Sequence, residues 1–299
     1  MKNKKTGTSQ ETLNYYSKNW DKIANCYDLD DDGFPVDPAW YRKNIYKDIL
    51  ESSKPKSLLD VGCGGGWNVL DALELGIDAR GIEPVLELKE HGCDLLSKHQ
   101  HDSGRITQDD LSMLYELESN SLDCISFLSV LPHVPKSEWD KIHENIGRIL
   151  KPGGKLISVY RNKLFDLFTF NSITMEFYDK NLWDLEVFDE LGSERVSQLK
   201  TLIANPDLPT PYHTNAVDKS FGELARVKSN PLTIDKYLSA FQMNVENISY
   251  YNYHCMPPLM IDDTKQFKKI NHEMEATMSN NWRGNFMAAM FVVEATKLA

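Results

Sequence analysis

The pattern of apolar and polar positions divides the chain into three stretches. Near the start, Leu13, Tyr16, Trp20, Ile23 and Tyr27 recur at spacings of 3, 4, 3 and 4. That spacing predicts one face of an amphipathic helix. From Ser57 onward, short apolar runs alternate with helical periodicity. Strands are predicted at 57–61, 79–82, 105–108, 122–128 and 155–160, and helices at 67–75, 87–99 and from Ser137 to Ile149. Ser137 reads as the N-cap of the last helix, with Asp140 standing in for the acid of a capping box. Gly76 stops the first of these helices and Lys151-Pro-Gly-Gly the third. This rhythm predicts an α/β fold, a doubly wound, mostly parallel seven-stranded sheet with helices on both faces and an antiparallel last strand.

After Arg161 the rhythm breaks. Residues 161–230 hold many aromatics and a cluster of Pro206, Pro209 and Pro211, but no βαβ unit. A mainly helical, aromatic-rich insertion is predicted there, acting as a mini-core or as a lid over a substrate pocket. A helix at 233–241, a strand at 245–253, a short helical insertion near 260–280 and a strand at 286–294 then complete the sheet. The expected organisation is a disordered tail (1–10), an N-terminal helical cap (11–56), a sheet core (57–160), the insertion (161–230) and the completion of the sheet (231–299).

Composition narrows the function classes. The chain has 299 residues with a net charge of −11, which argues against a nucleic-acid partner. The lysine-rich start has no apolar stretch behind it, so no signal peptide is expected. The longest apolar run, 286–293, is too short to span a bilayer, and no membrane association is expected. Five widely spaced cysteines without a C-x-x-C pair indicate free thiols in a reducing, cytoplasmic setting. Asp28, Asp30, Asp32 and Gly33 match the opening of a calcium loop. However, Ala39 occupies the position of the bidentate Glu, and Pro35 and Pro38 oppose an exit helix. A solvated loop is expected there, and no metal site.

The chemistry concentrates in Leu58-Leu-Asp-Val-Gly-Cys-Gly-Gly-Gly-Trp-Asn68, a strand running through a glycine loop into a helix. Glycine lets backbone amides approach a ligand with no Cβ in the way. The dinucleotide register G-x-G-x-x-G fails, because Trp67 stands at the third glycine position counted from Gly62 and Gly64. Glu83 ends the second strand, 21 residues beyond Gly62, placed to accept hydrogen bonds from ribose hydroxyls. Asp109 and Asp110 follow the third strand.

With LDVGCGGGW, GIEP, QDDLSML, LDCISFLSVLPHV and RILKPGGKLIS in this order, residues 57–160 resemble the class I S-adenosylmethionine-dependent methyltransferases. The resemblance implies S-adenosyl-L-methionine as cofactor. It implies that Gly62, Cys63, Gly64 and Gly66 line its methionine part, that Asp60 helps hold its amino group, and that Glu83 takes the ribose. Asp110 would accept from the adenine amino group beside the Leu111 amide, and Phe127 and Leu128 would flank the methionine. His133, just after the fourth strand, is the candidate base, with a structural histidine as the other reading. Some members of the family close the site with an N-terminal helix that sets a tyrosine against that histidine. Tyr16, Tyr27, Tyr160, His213 and His254 are candidate substrate contacts. The expected reaction is methyl transfer to an oxygen or nitrogen of a small molecule such as a sugar, phenol or secondary metabolite. An RNA or protein methyltransferase and a cofactor-binding, non-catalytic partner subunit are the alternatives. Oligomeric state is not legible in the sequence.

Overall fold

The computed structural model describes residues 9–170, 172–182, 227–260 and 264–298. The strands are β1 (Ser57–Val61), β2 (Asp78–Ile82), β3 (Ile106–Thr107), β4 (Leu122–Phe127), β5 (Leu150–Asn162), β6 (Lys228–Ser229), β7 (Met243–Tyr253) and β8 (Ala288–Lys297). They form one sheet in the order β3-β2-β1-β4-β5-β8-β7, with β6 paired to the end of β5. β8 runs antiparallel to both its neighbours, and the remaining pairings are parallel. The expected seven-stranded frame is present. The two-residue β6 is an addition too short to carry a periodic signal.

The helices are α1 (Gln10–Lys18), α2 (Trp20–Ala24), α3 (Ala39–Ser53), α4 (Trp67–Glu74), α5 (Leu86–Lys98), α6 (Lys136–Ile149), α7 (Ser172–Phe177), α8 (Ile234–Ser239), α9 (Lys265–Met278) and α10 (Gly284–Met287). Strand parity assigns them to two layers. Leu59, Val61, Ile125, Phe127, Leu156 and Tyr160 face one side, where they meet Trp139, Ile142 and Ile146 of α6 and Leu238 of α8. Leu58, Cys124, Ile157 and Val159 face the other, against Tyr46 and Leu50 of α3, Val69 of α4 and Leu96 of α5. Both faces are covered, which is why Cys124–Phe127 of β4 and Leu156–Tyr160 of β5 are buried without a break rather than at alternate positions. Each buried isoleucine of α6 contributes about 1.5–3 kcal/mol by leaving water.

Several boundaries differ from the sequence reading. The N-terminal helix is broken at Asn19, whose backbone leaves the helical region and whose side-chain amide donates to the Tyr15 carbonyl. The predicted face survives the break in part. Leu13, Tyr16 and Ile23 pack on Ala24, Val85 and Leu88, while Trp20 is exposed. The expected tail lies outside the described residues up to residue 8, and Ser9 already caps α1 by accepting from the Thr12 amide.

Pro38 does not oppose a helix. It immediately precedes α3, where a missing N–H costs nothing, and the Asp37 carboxylate accepts from the Ala39 amide. The acidic loop before it is tied to α9 by Asp30–Lys268 at 2.7 Å and Asp32–Lys265 at 3.0 Å. Among the described residues no cluster of three or more His, Cys, Asp or Glu could hold a metal ion. Helix α6 starts at Lys136 behind Pro135 with no side-chain cap. Asp140 accepts from the Tyr237 hydroxyl instead of capping.

Of the insertion, residues 164–168 and 172–182 form short helical turns, and residues 171 and 183–226 lie outside the described residues. Among the described residues no helix is long and apolar enough to cross a membrane.

Candidate active site

A cavity of about 1080 Å³ opens over the carboxyl ends of β1, β2 and β4, where ligands bind in such sheets. Its wall runs from Glu83 and the Gly62–Gly65 loop, past Leu128–Val130 and His133, to Arg161, Tyr251 and Met290. Helices α1 and α2 and the start of α3 cover it with Tyr16, Tyr27, Asp37 and Arg42.

At the β1–β2 end the geometry is set by the glycine loop. Gly62 and Cys63 donate their amides to the Ile82 carbonyl. Gly62 has φ +66, and a Cβ there would stand 2.5 Å from Val130 Cγ2. Gly64 has φ +54 and open space where a Cβ would stand, so its backbone forms a cradle in the cavity wall. The Glu83 carboxylate accepts from the Gly64 and Val85 amides, both at 2.9 Å. Burial pushes its pKa up to about 7, against the lowering effect of those two amides. Cys63 lines the wall with its thiol raised by burial, so it is no nucleophile. Asp110 caps the turn Leu111–Tyr115 by accepting from the Ser112 amide, and it lines the cavity with Asp109 and Leu111.

The other end holds the candidate base. Tyr16 Oη lies 2.8 Å from His133 Nε2, with the two rings at 89°. Burial first, and the Glu83 carboxylate second, raise the Tyr16 pKa, so the phenol stays protonated and donates to Nε2 in the tautomer that carries the imidazole proton on Nδ1. Tyr27 is held by its hydroxyl donating to Asn68 Oδ1 at 3.1 Å.

Five of the expected site residues lie elsewhere. Asp60 does not reach the cavity. It accepts from Ser126 Oγ at 2.6 Å and Asn68 Nδ2 at 3.3 Å, and burial lifts its pKa to about 6. It ties β1 to β4 and α4, and through Asn68 to Tyr27. Gly66 begins α4 and packs on α5, where a Cβ would stand 2.9 Å from Gly92 Cα. Phe127 and Tyr160 share the parity of Ile125 and Leu156 and point into the core beneath α6. There Tyr160 stacks on Phe291 and lies 3.2 Å from His143 Nε2. His254 is buried against Phe165, its pKa lowered to about 4 by burial. His213 lies outside the described residues.

Three wall residues were missed by the sequence reading. Arg42, 8% exposed, donates from Nη1 to Ser129 Oγ at 3.0 Å, and its buried Nε has no hydrogen-bond partner among the described residues. Arg161 and Tyr251 line the far side. No motif marks these positions. The parity that sends Tyr160 into the core was the available signal for Arg161, its neighbour.

The two glycines give separable expectations. Gly64→Ala meets only the left-handed backbone, a cost of about 1–2 kcal/mol, but it fills the cradle and should lower affinity for S-adenosylhomocysteine about tenfold or more. Gly66→Ala adds a clash with backbone worth about 1–3 kcal/mol more, which urea unfolding midpoints would read. Equal stability losses in the two variants would refute this division of roles.

A family model described as a methyltransferase domain matches residues 59–158. The ubiquinone biosynthesis O-methyltransferase of Nitrosococcus oceani is 31% identical over 125 residues, covering 41% of this chain and 50% of that protein. The tRNA(Thr) (cytosine(32)-N(3))-methyltransferase of Saccharomyces cerevisiae is 26% identical over 121 residues, 38% of this chain and 19% of that protein. The chain thus spans half or less of the length of these two curated relatives. Among solved structures, the Synechocystis PCC 6803 magnesium protoporphyrin IX methyltransferase with bound SAH has a TM-score of 0.53 at 11% identity, covering 97% of this chain and all of that one. The cyclase SpnF has a TM-score of 0.54 at 15% identity, covering 98% and 97%. The sheet order, the glycine loop and the matched segment agree: residues 59–158 carry a methyltransferase domain with the class I, Rossmann-like fold.

Proposed function

We propose that this chain methylates an oxygen or nitrogen of a small molecule. The observation that carries this reading is one covered cavity holding both the Glu83–glycine-loop end and the His133–Tyr16 pair. About 1080 Å³ is at the upper end of small-molecule sites and is roomy enough for a cofactor and a modest acceptor together.

The wall fits S-adenosylmethionine. The Gly64 cradle accepts a close approach, the Glu83 oxygens keep lone pairs for the ribose hydroxyls, and the orphaned Arg42 Nε would hold the carboxylate. When bound, the cofactor supplies a methyl already activated by its sulfonium. The chain then has to orient the acceptor, exclude water and take a proton. Helix α1 provides the cover. Tyr16 passes its proton to His133 Nε2 as its oxygen takes one from the acceptor hydroxyl or ammonium, leaving an imidazolium that later discharges to water.

RNA is the competing substrate, favoured by the tRNA methyltransferases among the relatives. The net charge of −11 opposes it. Incubation with methyl-labelled cofactor should transfer label to members of a library of phenols, sugars and amines, and bulk tRNA should show no gel shift at low salt. Label appearing in tRNA instead would overturn the small-molecule reading.

A further inference from the structure

The strand register separates the cavity's charges into two groups. Glu83, Asp109 and Asp110 stand at the ends of β2 and β3. Arg161 stands near the end of β5, two strands across from β1 in the order β1-β4-β5, or roughly 10 Å at sheet spacing. It also stands farther along. Phe127 at the end of β4 pairs with Ser158, so Arg161 is three residues, roughly 10 Å, beyond that level. Its cross-strand partner on β8 is Met290, which lines the same wall. The cation therefore lies on the acceptor side of His133, away from the glycine loop.

The groups that face it are two phenols and one carboxylate. The Tyr16 and Tyr251 phenols lie in its electrostatic reach together with Asp166, whose Oδ1 also holds Lys228 Nζ at 2.6 Å. Tyr16 is the same phenol that bonds His133. Guanidinium, phenols and imidazole thus converge on one end of a covered cavity. A guanidinium presents a planar fork that matches a carboxylate, and a partly desolvated site strengthens that pairing.

We propose that the methyl acceptor is a carboxylic acid, its carboxylate held by Arg161 while its hydroxyl or amine faces the Tyr16–His133 pair. The proposal deepens the small-molecule methyltransferase reading and rests on it. An acid acceptor is both anchored by the guanidinium and oriented for transfer.

The test is calorimetry on the full chain saturated with S-adenosylhomocysteine, using two matched pairs: hydroxybenzoate against hydroxybenzamide, and glucuronate against glucuronamide. At least one acid should bind about tenfold or more tighter than its amide, the range of a charged hydrogen bond. Arg161→Gln should reduce that preference to less than about twofold while binding S-adenosylhomocysteine as the wild type does, which also shows that the variant is folded. Arg161→Lys should keep part of the preference, and it decides the matter if the Gln variant does not fold. Amides binding as well as acids, no probe binding, or a preference that survives loss of the charge would overturn the proposal. Failure of the wild type to bind S-adenosylhomocysteine is a different result: it removes the cofactor reading beneath the proposal, and the proposal with it.

Discussion

Replacing His133 by alanine is expected to lower kcat by about 10²–10⁴, the usual contribution of a positioned acid or base, with affinity for S-adenosylhomocysteine nearly unchanged. The expectation follows from where the imidazole sits. The turn Leu131–His133 follows β4 directly, and its side chain meets Tyr16 of α1 across the cavity at 2.8 Å. Tyr16→Phe keeps the ring packing and removes the hydroxyl, so it should show a smaller loss of kcat and a shifted pH profile. Single-turnover kinetics with an identified acceptor would measure both. Full activity in His133→Ala would make the histidine a packing residue and leave the proton to the substrate or solvent. Loss of cofactor binding or of folding would instead place it in the structural frame.

The second large effect belongs to Glu83. Its carboxylate is fixed by the Gly64 and Val85 amides, and on the proposed cofactor placement its removal would leave the ribose without a charged acceptor. A hydrogen bond to a charged group is worth about 1.5–3 kcal/mol, so Glu83→Ala should weaken S-adenosylhomocysteine about ten- to hundredfold.

The same residue predicts a pH dependence whose sign is fixed by burial. Its folded pKa is raised from 4.5 to about 7. The protonated form is therefore favoured in the folded chain, and the associated stability is greatest below pH 4.5 and lost as pH rises through 7. A ligand that needs the carboxylate reverses that trend. Affinity for S-adenosylhomocysteine should rise roughly tenfold from pH 6 to pH 8, as ionisation goes from about a tenth to about nine-tenths. In Glu83→Gln the dependence should flatten. Titration calorimetry at both pH values would show it, and an unchanged slope in the Gln variant would assign the titration to another group.

The sequence disclosed the core well because its signals are local and repeated. β1 was placed to the residue, and the other core strands were found with ends that shifted. The glycine loop was found from its composition alone. What it hid depends on relations between distant segments. Arg42 sits on a helix whose low amphipathicity gave no periodic signal, and it becomes part of the wall only when α3 crosses Ser129. Phe127, at the end of its strand, was expected from the family resemblance to flank the methionine. Its parity with Ile125 sends it under α6, and only the layer assignment reveals which side that is. Asp60 was read from the family pattern as a ligand group. In the fold its oxygens are taken by Ser126 and Asn68, partners 66 and 8 residues away. The break at Asn19 was invisible because the apolar spacing continues across it.

The order of strands also bears on how such a chain can change over generations. Glu83 and the glycine loop depend on β2 and β1, while Arg161, Met290 and Tyr251 depend on β5, β8 and β7, with β4 as the boundary between them. Substitutions on the β5–β8–β7 side therefore alter what enters the cavity without disturbing the amides that hold Glu83. On the proposed function, a lineage could exchange one acceptor for another in small steps, each intermediate still loading the same methyl donor. Divergence of this kind leaves the first half of the sheet recognisable and the second half free to drift. The matched segment, residues 59–158, runs from β1 to β4 and through most of β5 and stops before Arg161.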